Sequence, residues 1–371
     1  MPSRQVRCRA RYALSVAALI AAYVVVMPID GFSEPPADSN SLPKVTVDRT
    51  EIIKKLFAHQ FDTLNSEMMA YEKKAEADPR YEMNALVAFG AFFSSQSAIA
   101  DLLKDWCKAQ PHSYAAKLAY AEALTSTAGS WRGEATIDNT PPQRLHQMEL
   151  YYNDAVQQEN AALAIDPNLS IAYALRIKAA RVAGTADDDV ANEAAIALRR
   201  VPASFAVREQ IMVAAMPRWG GSRDAMEKFA GDAMEYVDEN PALRFVNAWL
   251  PMDEGDGYGT NRQWYDAINS YKQALKVGGE YWNAYLRLAE AYVQVTDYKN
   301  ALRAALRANE LFPQRSDVLR VLAVASSNDN RPEACVLWAS SYLRFEMPDP
   351  IIMQLAQQSA QELKAQGKGN W

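Results

Sequence analysis

The chain has few residues of the kinds that do chemistry, and their spacing argues against most reactions. His59, His112 and His146 are its only histidines, and none stands in an H-E-x-x-H or comparable metal-binding spacing. Cys8, Cys107 and Cys335 form no C-x-x-C pair and read as free thiols. Asp253, Glu254 and Asp256 crowd the stretch Met252–Asn261 but lack the ligand alternation and terminal Glu of a calcium loop, so a surface loop is expected there. No G-x-S-x-G elbow, phosphate loop or Cys/His pairing occurs, and the expected catalytic residues, metal ligands and cofactors are none. The densest candidate is P-R-W-G-G-S, residues Pro217–Ser222. Gly220 or Gly221 can take a positive φ, and Ser222 can cap a following helix that has Asp224 in its first turn. The same amides with Arg218 are the makings of a phosphate or carboxylate cradle, but the lysine and preceding strand of a phosphate loop are missing. A tight helix-to-helix turn is therefore the preferred reading.

The elements that must position such residues are helical. Apolar residues make up 49 % of the 371, Ala is abundant, and no sustained Val/Ile/Thr alternation of the strand type occurs. Arg4, Arg7, Arg9 and Arg11 against Asp30 give residues 1–33 a charge of +3, which leaves −9 on the rest of a chain whose total is −6. An acidic body without basic clusters argues against nucleic acid and against adsorption to anionic lipid.

One stretch fixes the architecture. Trp282–Arg315 places Tyr285, Leu288, Ala289, Tyr292, Ala301, Ala305, Ala308 and Pro313 in the order and spacing of a 34-residue helix–turn–helix unit. Small Ala289 and Ala301 let two antiparallel helices approach, Tyr285, Leu288 and Tyr292 fill the space between them, and Pro313 stops the second helix. This stretch resembles the tetratricopeptide repeat. The resemblance implies a right-handed α-solenoid whose first helices line a groove that holds a protein or peptide. Ala267, Tyr271 and Ala274 fall one period earlier, behind a first helix expected at Ala242–Leu250. Leu319, Leu322 and Ala323 restart the period, with Ala334 and Trp338 expected one residue early. Asp349-Pro350 then opens a capping helix striped by Ile352, Leu355, Ala356 and Leu363.

Upstream, Thr50 is the expected N-cap of one long helix that ends before Asp78-Pro79, followed by helices that end near the S-S-Q-S turn, Pro111 and Gly129. Trp106 with Pro111 and Ser113, the Trp131-Arg132-Gly133 triplet, and Pro217–Ser222 with Met226 and Phe229 resemble a bacterial family of unknown function over roughly Thr50–Glu235. That resemblance implies a helical fold often joined to tetratricopeptide-like repeats and no activity. In the repeat register, Trp131-Arg132-Gly133 and Arg218-Trp219-Gly220 would both follow first helices. Both tryptophans are expected buried on one edge, with Arg132 and Arg218 nearer solvent.

Ahead of all this, the uncharged run Tyr12–Ile29 behind four arginines reads as an export signal, either a retained anchor, which is favoured, or a cleaved peptide. The expected organisation is residues 1–33 leader, 34–49 linker, 50–235 irregular helical domain, 236–348 repeats and 349–371 capping helix with tail. The body would then lie in the periplasm or on the outer face of the inner membrane, touching the membrane only through its N-terminal segment. The expected binding face is Asn283, Arg287, Glu290 and Gln294. The rival class is a cell-wall glycan binder or hydrolase, which needs exposed aromatic rings and paired carboxylates. Exposure of Trp264 and Trp282 discriminates between them.

Overall fold

The computed structural model describes residues 41–133, 139–182, 187–346 and 348–368; the leader with its expected signal-anchor helix, and the last three residues, lie outside these. Every regular element among the described residues is helical. The N-terminal part runs α1 (Arg49–Phe57), α2 (Phe61–Ala77), α3 (Glu82–Phe89), α4 (Ser97–Ala109), α5 (Tyr114–Arg132), α6 (Pro142–Leu163), α7 (Ser170–Val182), α8 (Asp187–Arg200), α9 (Phe205–Ala214) and α10 (Arg223–Met234). A 3-10 stretch, Pro241–Ala248, then leads into α11 (Trp249–Thr260) and α12 (Trp264–Gly278). The remainder is α13 (Trp282–Gln294), α14 (Tyr298–Leu311), α15 (Ser316–Asn328), α16 (Pro332–Phe345) and the capping helix α17 (Pro350–Ala365).

From α11 onward the helices pack in consecutive pairs joined by three-residue turns, a tetratricopeptide-like array. The register is a strict 34 residues. Arg262, Thr296 and Asn330, one period apart, each take positive φ, at 59°, 59° and 54°. After each of them the next amide bonds back five residues at 2.9 Å, Gln263 to Tyr258, Asp297 to Tyr292 and Arg331 to Ser326. The close-approach position is equally periodic, since Gly255, Ala289 and Ala323 are all buried.

Several expectations are corrected by this register. Met252–Asn261 is not a loop, because α11 is the first helix of its pair and Ala242–Leu250 only leads into it. Its glycines are contacts rather than breakers, since a Cβ on Gly255 would stand 2.6 Å from Tyr271 Cε1. In the last repeat Cys335 and Ala339, both fully buried, hold the positions of Ala301 and Ala305, so the period is not shortened to Ala334 and Trp338. The long helix from Thr50 is two helices, broken where His59 takes φ 52°, and its N-cap is Asp48, whose carboxylate accepts from the Thr50 and Glu51 amides. The end of the expected linker packs on the body, with Val47 buried and the Thr46 amide on Asn84 Oδ1 at 3.3 Å. Helix α5 runs through Arg132, so the expected loop begins only at Gly133, φ 67°.

One apolar core runs from Val47 to Phe345 across the expected domain boundary at 235/236. The N-terminal helices also return to the C-terminal repeats. Buried Arg49 donates to the carbonyls of Gln314 and Gly90, and the Thr50 amide donates to Gln314 Oε1 at 3.1 Å. Ser94 Oγ donates to Phe345 O, and Gln96 Nε2 to Glu346 O at 2.8 Å. Arg344 Nη1 completes the clasp on Thr50 Oγ1 at 3.1 Å. The solenoid therefore closes on itself, which its nearest-neighbour pattern does not require.

Candidate functional site

The repeat register decides which side chains face the groove. Residues at the places of Arg287, Glu290 and Gln294 recur one period earlier as Asp253, Asp256 and Thr260, and one period later as Val321 and Val324. All of these except Asp253 line one hollow of about 430 Å3, together with Arg218, Trp264, Tyr271 and Arg320. The turn Pro217–Ser222 and the groove face of α13, separate candidates in the sequence, thus meet at one site. Asn283 does not line it. Its side chain hydrogen-bonds Tyr281, whose hydroxyl donates to Glu209 deeper inside.

Asp256 is the hub. Arg218 Nη1 and Nη2 each lie 3.1 Å from its Oδ2, the Tyr271 hydroxyl donates to its Oδ1 at 2.9 Å, and Arg287 Nε stands 3.8 Å away. Arg218 Nε also reaches Asp253 Oδ1 at 3.8 Å, and Arg287 Nη1 meets Glu290 Oε2 at 3.5 Å. Burial and then the Asp256 charge push the Tyr271 phenol up, so it stays a donor. Burial acts to lower the Arg287 pKa, but Asp256, Glu290, Tyr271 and Asp317 outweigh it and the guanidinium stays charged. Burial raises Glu290 and Asp253, against the pull of Arg287 and Arg218 respectively. Against this polar wall stand Trp264, Ala291, Val293, Val321 and Val324. An apolar strip beside alternating charges is the surface an extended peptide needs, with side chains on one wall and backbone amides on the other. Arg287 Nε is buried without a hydrogen-bond partner, held only by the Asp256 charge at 3.8 Å. Among the described residues no group of three His, Cys, Asp or Glu side chains could hold a metal ion.

The signature turn is held by its own backbone. Pro217–Trp219 is a 3-10 turn, Gly220 has φ 91°, and the Gly220 and Gly221 amides donate to Pro217 O and Met216 O, both at 3.1 Å. Those amides are spent and cradle nothing. A Cβ on Gly221 would lie 2.0 Å from Ala215 O, and Ser222 Oγ caps the Ala225 amide at 3.1 Å. Trp219 is half-buried and Arg218 exposed, the expected order. At the other triplet that order is reversed, with Trp131 39 % exposed and Arg132 half-buried. Trp131 ends a helix whose terminal carbonyls are taken by Arg144 from the start of α6. Trp131 lines a second hollow, of about 550 Å3, with Pro142, Arg144 and His146.

Groove residues that the sequence did not assign to this face are Asp256, Trp264, Arg320, Val321 and Val324. The signal for most of them was the period itself, applied to groove positions as well as to core ones. Of the two rings that discriminate the glycan reading, Trp282 is buried against Phe312 and Trp264 is half-buried in the groove wall.

Residues 187–250 match the family described as Domain of unknown function (DUF4034). The match contains Pro217–Ser222, stops short of Trp131-Arg132-Gly133, and extends past the expected limit at Glu235. No curated protein matches the chain. Among solved structures the chain is similar to PilW, titled a widely conserved type IV pilus biogenesis factor, at 14 % identity, 61 % of this chain, 99 % of that one and a TM-score of 0.31. It is similar to the P58(IPK) TPR domain at 13 % identity, 87 % and 100 % coverage and a TM-score of 0.33. With yeast Tom70 the values are 14 % identity, 89 % and 68 % coverage and a TM-score of 0.41. At such scores the repeat architecture rests on the register and packing above.

Proposed function

We propose that the chain is a non-catalytic helical-repeat scaffold that holds a protein or peptide segment against α13. The observation that carries this is the composition of the groove. Arg287, Glu290 and Gln294 share one hollow with Arg218 and with the apolar wall of Trp264, Val293, Val321 and Val324. Such a wall beside fixed, mutually paired charges binds a chain segment by burial and by backbone hydrogen bonds, without a reacting group. The segment lies in the cell envelope, on the reading that the arginine-flanked run Tyr12–Ile29 exports the body and anchors it with its N-terminus in the cytoplasm.

A photo-cross-linking residue at Gln294, compared in cells with one at exposed Arg303 on the second helix of the same repeat, tests the groove. A discrete adduct is expected at Gln294 alone, and Val324→Arg, which charges the apolar wall, should abolish it. Equal yields at both positions, or none at either, would refute the groove as the binding surface. A reporter enzyme active only outside the cytoplasm, fused after Trp371, tests export. Activity there of a cytoplasm-only reporter would exclude it.

A further inference from the structure

Beside the groove, the ends of α5 and α7 bring together two guanidinium groups that nothing in the described chain neutralises. Arg132 lies in the last turn of α5 and Arg181 in the last turn of α7. The ordinary work of a basic residue there is to bond the helix's last carbonyls. At α5 that work is done by Arg144, whose Nε donates to Trp131 O at 2.7 Å and Nη2 to Ser130 O at 3.2 Å. Arg132 Nε and Arg181 Nε are instead buried without a hydrogen-bond partner. Arg181 Nη2 reaches only as far as Gln210 Oε1, at a long 3.4 Å, and its Cζ sits 4.5 Å above the Trp219 ring.

No carboxylate among the described residues reaches Arg181. Its titratable surroundings are Arg218, Arg132, Lys178 and the Tyr152 phenol, and Asp253 and Asp256 are already engaged by Arg218. Burial, and then the neighbouring Arg218 and Arg132, bring the Arg181 pKa down to about 10, so the group is still charged at neutral pH. Holding like charges together in a partly desolvated place is unfavourable unless a counter-charge arrives. Stacking on Trp219 fixes the plane of the Arg181 fork and leaves its edge free for a second planar or tetrahedral acceptor.

We propose that Arg132 and Arg181, the latter stacked on Trp219 and beside Gln210, form a binding site for a small oxyanion, a phosphate, sulfate or carboxylate group, separate from the peptide groove. Two forks at one place favour an acceptor with two or more oxygens over a halide. Two sources fit that chemistry, a free inorganic anion and an acidic side chain of another polypeptide.

The site is tested on the full chain by calorimetry and by tryptophan fluorescence, titrating inorganic phosphate, sulfate and a short glutamate-rich peptide against sodium chloride of equal ionic strength. A saturable response to at least one of the three and none to chloride is expected. Response to phosphate or sulfate assigns the free anion as source, and response to the peptide alone assigns a carboxylate. Arg181→Gln and Arg132→Gln should each weaken the affinity roughly ten- to a hundredfold. Trp219→Phe should remove most of the fluorescence change while the calorimetric signal remains. Circular dichroism establishes that each variant is folded, and either arginine variant suffices if the other is not. No saturable response to any of the three, a response that survives both arginine substitutions, or its loss in the groove variant Val324→Arg would each overturn the assignment. Failure of the groove experiment leaves this outcome untouched.

Discussion

Glu82 offers the sharpest test of how the irregular half of the chain is held. Its carboxylate is 3 % exposed and receives the Ser204 hydroxyl, the Phe205 amide at 2.6 Å, the Ala206 amide at 3.3 Å and Asn240 Nδ2 at 2.9 Å. It caps the N-terminus of α9 from a distant helix, where the first amides have no acceptor of their own. In Glu82→Ala, Ser204 Oγ keeps the Val207 amide and Asn240 Nδ2 keeps Ala203 O, but the buried Phe205 and Ala206 amides lose their partner. Each orphaned donor costs about 1–3 kcal/mol, so a loss of about 4 kcal/mol is expected. With a urea slope near 3 kcal/mol/M the midpoint falls by about 1.3 M at unchanged slope. Glu82→Gln keeps one acceptor oxygen and should lose about half as much. Urea titration followed by far-ultraviolet circular dichroism measures both. A midpoint shift in Glu82→Ala under about 0.3 M would show that the cap contributes nothing and that α9 is held by packing alone.

The glycines of α11 predict opposite signs. Gly255→Ala should cost about 1–3 kcal/mol by driving a methyl into Tyr271, whereas Gly257→Ala, with nothing within 4 Å, should add about 0.4–1 kcal/mol; thermal unfolding separates the two. Burial, as the leading cause, raises the Glu72 and Glu159 carboxyls from 4.5 to about 8 and Glu122 to about 7. Between 4.5 and 8 the unfolded chain therefore binds fewer protons than the folded one. This contribution to stability is full below the unfolded pKa and is lost as pH rises through the window. Urea midpoints at pH 5 and pH 8.5 should fall in that order, and Glu159→Gln should flatten the difference. Arg49→Met should free α1 from the C-terminal repeats, seen as faster amide exchange in α1 and around Gln314 with α13 still protected.

How much was legible depended on sequence distance. The core of Trp282–Arg315 could be read because its partners lie within one repeat, and Ala289, Ala301, Ala305 and Ala308 are all fully buried. The helix Trp249–Thr260 was missed because glycine in isolation signals a break. Only opposite Tyr271 and Trp264 does its missing side chain become the point of contact. The break at His59 was hidden because apolar residues continue at helical spacing on both sides of it. The clasp joins irregular helices to repeats more than two hundred residues away, and no local pattern records it. For the site, Arg287, Glu290 and Gln294 followed from helix phase. Asp256 and the valines needed the same phase carried into the neighbouring repeats, and Asn283 failed because Tyr281 binds it.

The clasp also bears on mechanics. An open superhelix of helix pairs stretches and twists like a coil spring, since each turn is restrained only by its neighbours. Here Arg49, Thr50, Ser94 and Gln96 tie the first turns to Gln314, Arg344, Phe345 and Glu346, so extension must first shear a set of partly buried hydrogen bonds. The compliance of the coil is thereby reduced, and the gape between α11 and α15 varies little. On the proposed function, an incoming segment would meet a jaw already set to width and lose less entropy on closing it, and its off-rate would be governed by the contacts made rather than by breathing of the scaffold.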